Sequence, residues 1–196
     1  MSSRFLTCVL GIAVALGGAM QAEERERITP PSVPANLEVT GFKLFLKGHA
    51  IGTQNYICAP AATPSGVDWL FIGPQATLFD DNFEQIVTHF FSRNPSRANA
   101  IQATWQHSGD TSAVWATRRD GSLDARYVAP GAIEWLVLDV SGAEPGPTAG
   151  EKLSSAVIIQ RVNTRGGVKP PATECTTVTV NTRNFVRYEA DYYFYK

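Results

Sequence analysis

The sequence has few of the groups that announce a conventional activity. Only three histidines are present, His49, His89 and His107, far apart and in no HxH or HxxxH pair. A metal site therefore has no local spacing to rest on, and neither a metal nor a cofactor is expected. There is no Gly-x-Ser-x-Gly elbow, no Ser-x-x-Lys and no Gly-x-Gly-x-x-Gly turn, so the local signatures of several hydrolase and dinucleotide-binding classes are missing. Gly146 to Lys152 resembles a phosphate loop only superficially, because no Lys directly follows the glycine and no Ser or Thr follows the Lys. Charge of one sign is lacking too: 17 Lys+Arg stand against 18 Asp+Glu, with no basic run and no acidic tail. That argues against a nucleic-acid partner. No segment carries ten residues of helical period.

Long apolar runs are missing except near the start. Arg4, the apolar stretch Phe5 to Leu16 and the small residues Gly17, Gly18, Ala19 and Ala22 read as a secretory signal peptide over residues 1–22. The run is too short for a comfortable bilayer crossing, so no integral membrane span is expected. Removal would leave about 175 residues, enough for one domain with its own core. Residues 23–34, with Pro30, Pro31 and Pro34, read as a solvated linker, and residues 35–196 as the domain. Cleavage would leave two cysteines, Cys58 and Cys175. In an exported chain these are most simply one disulfide; free thiols or a metal pair are the alternatives, and no CxxC spacing supports the second. The chain is expected to be a secreted or periplasmic monomer.

What the sequence does have is strand after strand. Ala156 to Ile159 is an unbroken apolar run; polarity returns at Gln160, Arg161, Asn163 and Thr164, and the segment breaks at Gly166-Gly167 and crosses Pro170-Pro171 to Cys175. It reads as a buried strand, spanning 152–163, that leaves the core for a loop pinned by a covalent bond. Ala50 to Cys58, Ile86 to Phe91, Ile101 to His107, Ala113 to Thr117 and Ile133 to Val140 are further strand candidates. Turns are expected at Gly73-Pro74, Asp80 to Asn82, Ser108 to Asp110 and Asp120-Gly121. Ser92 to Ala100 has room for a single helical turn. At the C-terminus Tyr188, Ala190, Tyr192 and Phe194 alternate with Glu189, Asp191, Tyr193 and Tyr195. Such an aromatic strand is hazardous as a free edge, so it should close a barrel or pair with the long strand before it. The fold class is all-β, an antiparallel β-sandwich or barrel-like single domain with one disulfide.

Five residues are candidates for a ligand site: His89, Trp105, His107, Trp115 and Arg161. A hairpin centred near Asp110 would set Trp105 opposite Trp115 and place both, with His107, on one face. Two tryptophans on one face can stack sugar rings, and the same face can equally be the core side of the hairpin. His89 sits in an otherwise apolar strand as a general base, a ligand or a hydrogen-bonded structural residue. Arg161 suits a carboxylate or an anionic ligand, or an internal salt bridge to Asp139, Glu189 or Asp191. Asp80-Asp81-Asn82 lacks the further ligands of a calcium loop and reads as a turn.

Several segments taken in order resemble a known family: Gln54 to Cys58, Leu78-Phe79-Asp80, the isolated His89, Thr104-Trp105, Trp135 to Leu138, Ile159 to Thr164 with Gly166-Gly167 and Cys175, and Ala190 to Tyr195. Together they are similar to the secreted domain-of-unknown-function family 3455 of bacteria and fungi. The resemblance covers essentially the whole chain after residue 22. It implies the fold, export and the cysteine pair, and no activity. The family often passes from its histidine through a Gly-Pro pair to the tryptophan, whereas Phe90 to Ala103 intervenes here. Three functional expectations follow. The first is a binding module for a small-molecule or glycan ligand, or for the cell envelope. The second is an extracytoplasmic hydrolase or lyase with His89 as base beside Asp80 or Asp81 and Arg161. The third is a structural or stress-related protein without a pocket.

Overall fold

The computed structural model describes residues 28–196. The expected signal peptide and the first part of the linker, residues 23–27, lie outside the described residues. Strands β1 (Leu44–Pro60), β2 (Val67–Phe79), β3 (Gln85–Asn94), β4 (Ala100–His107), β5 (Ala113–Ser122), β6 (Trp135–Glu144), β7 (Ile158–Gly166) and β8 (Arg183–Tyr195) pair antiparallel in sequence order. β8 then pairs with β1 along most of its length, and the sheet closes into a barrel. Closure leaves no aromatic edge exposed and excludes the sandwich.

Period-two alternation sorts the side chains. Tyr188, Ala190, Tyr192 and Phe194 face the barrel interior with Leu78, Val87, Trp105, Val114, Leu136, Leu138 and Ile159. Small residues on the β1–β2 wall, Ala50 and Ala76 among them, make room for the aromatic side chains from the other strands. Tyr193 and Tyr195 face outward yet are buried, in a second cluster with Leu37, Val128, Trp135, Ile158 and Val162. Ile28, Val33 and Val39 pack on that cluster from the N-terminal side, and Gln160 Nε2 donates to the Leu37 carbonyl at 2.7 Å.

Several boundaries differ from the sequence expectation. The segment 152–157 is turns and coil, and β7 begins at Ile158. Gly73-Pro74 is no turn but a bend inside β2: Gly73 has φ +124°, and a Cβ there would lie 2.8 Å from the Phe91 ring. The two apolar runs flanking it are one strand pressed against β3. Asp120-Gly121 lies in β5, next to a register shift between Arg118 and Asp120, so the pair marks a bulge and not a hairpin. Gly166 and Gly167 take the expected positive φ, +64° and +81°, and a Cβ on Gly166 would meet the Arg187 carbonyl oxygen at 2.5 Å. The expected turn at 92–100 is a short 3₁₀ turn, Pro95–Arg97, whose Ser96 N–H is capped by Asn94.

The two ends of the barrel differ. The β6–β7 connection folds over one end, where Leu153 and Ala156 enter the interior cluster with Leu46, Ile86 and Val140. Asp110 anchors this plug from the β4–β5 turn. Its carboxylate accepts from the backbone N–H groups of Glu151 (2.9 Å) and Lys152 (2.8 Å) and from Ser112 Oγ (2.7 Å). Burial pushes the Asp110 carboxyl up, but the donors of Lys152 and Ser112 and the neighbouring His107 outweigh it and hold it at about 2. A lowered carboxyl pKa means the unfolded chain takes up the proton first. The Asp110 contribution is therefore complete above about pH 4 and is lost as pH falls towards 2. Asp110→Ala is expected to lower stability by about 1.5–3 kcal/mol at pH 7, the range for hydrogen bonds to a charged group. Urea unfolding of both proteins measures this, and the difference should shrink at pH 2.

The other end carries the disulfide. Cys58, near the end of β1, bonds Cys175 in the β7–β8 connection, 117 residues away, with an S–S distance of 2.03 Å. Tyr56, Val67 and Trp69 pack around it with Val180 and Val186. Tyr56 Oη donates to the Gly167 carbonyl (2.9 Å), Trp69 Nε1 donates to the Pro171 carbonyl (3.2 Å), and Lys169 pairs with Asp68 (2.9 Å). Among the described residues no helix is long and apolar enough to cross a membrane.

Candidate functional site

At the disulfide end the barrel holds a cavity of about 370 Å³. Its inner part is lined by Gln54 from β1, His89 from β3, Trp105 from β4, Arg161 from β7 and Tyr192 from β8. Phe71, Phe91 and Ile101 form the outer part, and each is partly exposed, Ile101 by 64%. Tyr56, Phe71 and Phe91 make a continuous ring series, with centroids 5.4 and 5.5 Å apart, from the disulfide cluster to this mouth. A wider hollow of about 1550 Å³ runs past Ile28, Phe42, His107 and Lys196. None of the residues with a buried unpartnered polar atom lines it, so size does not decide between the two.

His89 is 3% exposed. Its ring stacks on Trp105, with centroids 4.1 Å apart and planes at 11°, and Tyr192 packs on it at 5.3 Å. Nδ1 lies 2.8 Å from the Thr104 carbonyl oxygen. A carbonyl only accepts, so Nδ1 carries the proton and Nε2 the lone pair. Burial drives the His89 pKa down to about 3; the Thr104 carbonyl works against that, and Arg161 adds to it. The ring is neutral at ordinary pH and a weak base. Burial likewise pushes the Tyr188 phenol well above its usual value, Tyr192 adds to the rise, and Arg161 and Gln54 oppose it.

Arg161 makes one hydrogen bond here, Nη2 to the Glu134 carbonyl at 3.0 Å. The three carboxylates expected to pair with it are engaged elsewhere. Asp139 holds Arg119, Glu189 holds Arg187 at 2.9 Å, and Asp191 holds His49 at 2.6 Å and Asn163 at 2.7 Å. The reason is the pleat: Arg161 shares the inward face of β7 with Ile159, while those acids point outward from β6 and β8. Among the described residues no Asp or Glu lines the cavity. Burial at this site leaves three side-chain nitrogens without a partner: Gln54 Nε2, Trp105 Nε1 and Arg161 Nε. The Tyr188 hydroxyl is near enough to Gln54 to feel it but is not placed to accept from Nε2. A fourth such atom, Trp135 Nε1, belongs to the outer cluster.

The hairpin register separates the candidate residues. Trp105 pairs with Val114, and Trp115 pairs with Thr104. The centre of the turn lies half a residue before Asp110, and that shift moves Trp115 to the other face of the sheet. There its Nε1 donates to Ser92 Oγ at 2.8 Å. The expected platform of two tryptophans is not formed. Thr104 and Ser112 are also buried, at 1% and 0% exposure. His107 shares the inward face with Trp105 but lies at the plugged end. Its Nδ1 accepts from the backbone N–H groups of Gly109 (3.2 Å) and Asp110 (3.1 Å) and so shapes the turn. Burial lowers its pKa, against the pull of Asp110. Asp80 closes the β2–β3 turn by accepting from the N–H groups of Asn82 and Glu84, both at 2.9 Å, and Asp81 holds Lys47 at 2.9 Å and His49 at 2.8 Å. Of the five candidates, His89, Trp105 and Arg161 meet in the cavity and Trp115 and His107 do not.

A family model described as "Protein of unknown function (DUF3455)" matches residues 39–196. The chain belongs to this family. No curated protein and no solved structure matches it. Most segments that carry the DUF3455 resemblance contribute to the cavity: Gln54, His89, Trp105, Leu136 and Leu138, Arg161 and Tyr192 all line it. The stretch Phe90 to Ala103 completes β3 and opens β4. It supplies Phe91 and Ile101 to the mouth, while His89 and Trp105 remain direct cross-strand neighbours. Sequence reasoning missed Gln54 and Tyr192 as lining residues, and Tyr188, which touches Tyr192. The signal existed for the tyrosines, since both belong to the row of β8 opposite Glu189 and Asp191. For Gln54 the signal was a lone amide on the same face as Ala50.

Proposed function

We propose that this DUF3455 protein is a binding module that takes one small organic molecule into the open end of its barrel, and that it works outside the cytoplasm. The observation that carries the reading is that three residues with a buried, unpartnered N–H group, Gln54, Trp105 and Arg161, line one cavity with an apolar mouth. Unsatisfied buried donors are costly, and a ligand with acceptors relieves that cost. The volume sits near the lower end for small-molecule sites, and an eight-stranded barrel is just wide enough to hold one such ligand. Export is supported by the disulfide and by the sequence of residues 1–22. The His89-base reading lacks the acid partners it needs, because no carboxylate lines the cavity.

The test is titration with the neutral apolar dye N-phenyl-1-naphthylamine. A saturable rise in dye emission with one site per chain is expected, accompanied by a change in tryptophan emission. It should be weakened about tenfold or more in Ala116→Phe and in Ala103→Phe, each of which fills the cavity from a different strand. Absence of saturable binding to the folded wild-type protein defeats the reading.

A further inference from the structure

The chemistry of the unpartnered groups narrows the ligand, if the cavity is indeed a binding site as proposed above. Gln54 Nε2, Trp105 Nε1 and Arg161 Nε are all donors. None of the three offers a lone pair to a ligand hydroxyl or ammonium group. The group that meets them must therefore be rich in acceptors. The charge balance points the same way. Arg161 keeps its charge in any protein environment. It lies in a cavity with no Asp or Glu in the lining, and its one hydrogen-bond acceptor is a neutral carbonyl. A partly buried cation in such surroundings favours an anion, because no carboxylate competes for it and the guanidinium has donors to spare.

The count of charges sets the valence. The other titratable groups lining this space are His89 from β3, Tyr192 from β8 and Arg118 from β5, and Tyr188 from β8 touches Tyr192. The His89 ring is fixed as a neutral tautomer by the Thr104 carbonyl and by its stack on Trp105. The hydroxyls of Tyr188 and Tyr192 lie 3.5 Å apart. Arg118 is at the rim and already pairs with Glu134 at 3.1 Å. The inner cavity thus offers one uncompensated positive charge. Apart from Gln102, Thr117 and Arg118, the walls around that charge are apolar: Leu136, Leu138, Ala103 and Ala116, with Phe71, Phe91 and Ile101 at the mouth.

We infer that the ligand is an amphiphilic organic monoanion, a carboxylate or sulfonate on an apolar body, bound with its charged group inward on Arg161, Gln54 and Trp105 and its apolar body along Phe71, Phe91 and Ile101.

Calorimetric titration at pH 7 with four ten-carbon probes tests this: decanoate, decanesulfonate, decan-1-ol and decylamine. Both anions are expected to bind one per chain, with decan-1-ol and decylamine weaker by about tenfold or more, the usual consequence of losing a charge-assisted hydrogen bond. Arg161→Gln should weaken the anions about tenfold or more and decan-1-ol by much less, so that the preference for the anions is lost. Arg161→Lys, which keeps the charge without the planar fork, should retain part of the anion affinity. Circular dichroism melting of each variant checks that the barrel is intact. Equal affinity for decan-1-ol and decanoate, or anion binding indifferent to Arg161→Gln, overturns the inference. In that event saturable N-phenyl-1-naphthylamine binding would leave the cavity reading standing. Failure of all four probes and of the dye brings both down.

Discussion

Replacing Cys58 and Cys175 together by serine is expected to lower the unfolding free energy by up to about 5 kcal/mol. The bond closes a segment of 117 residues, and in the chain-entropy model the unfolded chain regains about that much freedom when the link is cut. For a domain of this size the loss corresponds to a fall in Tm of roughly 10–20 °C. The effect should also be local. Near the disulfide, the β7–β8 connection is held to the barrel by the small cluster around Trp69, by hydrogen bonds at Gly167 and Pro171, and by the Lys169–Asp68 pair. The salt bridge is partly exposed and contributes little. Residues 168–182 should therefore lose protection from hydrogen exchange before the strands do. Differential scanning calorimetry and exchange measurements on the serine double variant check both statements. A variant that melts with the wild type would show that the link constrains nothing in the unfolded chain.

Acid should destabilise the protein well above the range in which carboxylates titrate. His89 is buried neutral, with its pKa driven by burial to about 3 from an unfolded value near 6.5. Between those two values the unfolded chain binds a proton that the folded chain does not, so stability rises with pH and falls on acidification. The slope is roughly 1.4 kcal/mol per pH unit, giving a loss of about 3 kcal/mol by pH 4. His107, whose pKa burial also lowers, adds to the same window. The groups packed on His89 do not reverse the effect. Trp105 and Tyr192 bring no carboxylate to the ring, the Thr104 carbonyl is already used by Nδ1, and Arg161 opposes a second positive charge. Urea unfolding at pH 7, 5.5 and 4 measures the slope. In His89→Gln the slope should flatten whatever the variant's absolute stability, because only the titration is removed. A slope unchanged by that substitution would mean that the ring is protonated in the folded barrel.

Much of the fold was legible in the sequence. Strand after strand, with turn residues between, leads to an antiparallel all-β domain, and an aromatic C-terminal strand leads to closure. The alternation Tyr188, Ala190, Tyr192, Phe194 is the interior row of β8. The burial of Tyr193 and Tyr195 could not be read there, because their cover comes from Leu37 and the segment around Val128, far off in sequence. Where one strand bends rather than ends, composition misleads: Gly73-Pro74 and Asp120-Gly121 carry turn residues inside strands, since close approach and bulges call for the same residues as turns do.

The candidate site was legible in part. An isolated histidine in an apolar strand, a tryptophan in the neighbouring strand and an arginine where a buried strand turns polar were visible as unusual residues. Their meeting in one cavity depends on closing the barrel between β8 and β1. Trp115 shows the limit most plainly. A shift of half a residue in the centre of one turn moves it from the Trp105 side of the sheet to the opposite face.

The sequence by itself determined the strand class, the alternation within each strand and the identity of the two cysteines, because these follow from local periodicity and composition. Only the tertiary structure decided that Arg161 lines a cavity with no carboxylate among the described residues and that Gln54, Trp105 and Arg161, each with a buried unpartnered donor, line it together. Those facts depend on register and closure, which are set by contacts between residues a hundred or more positions apart.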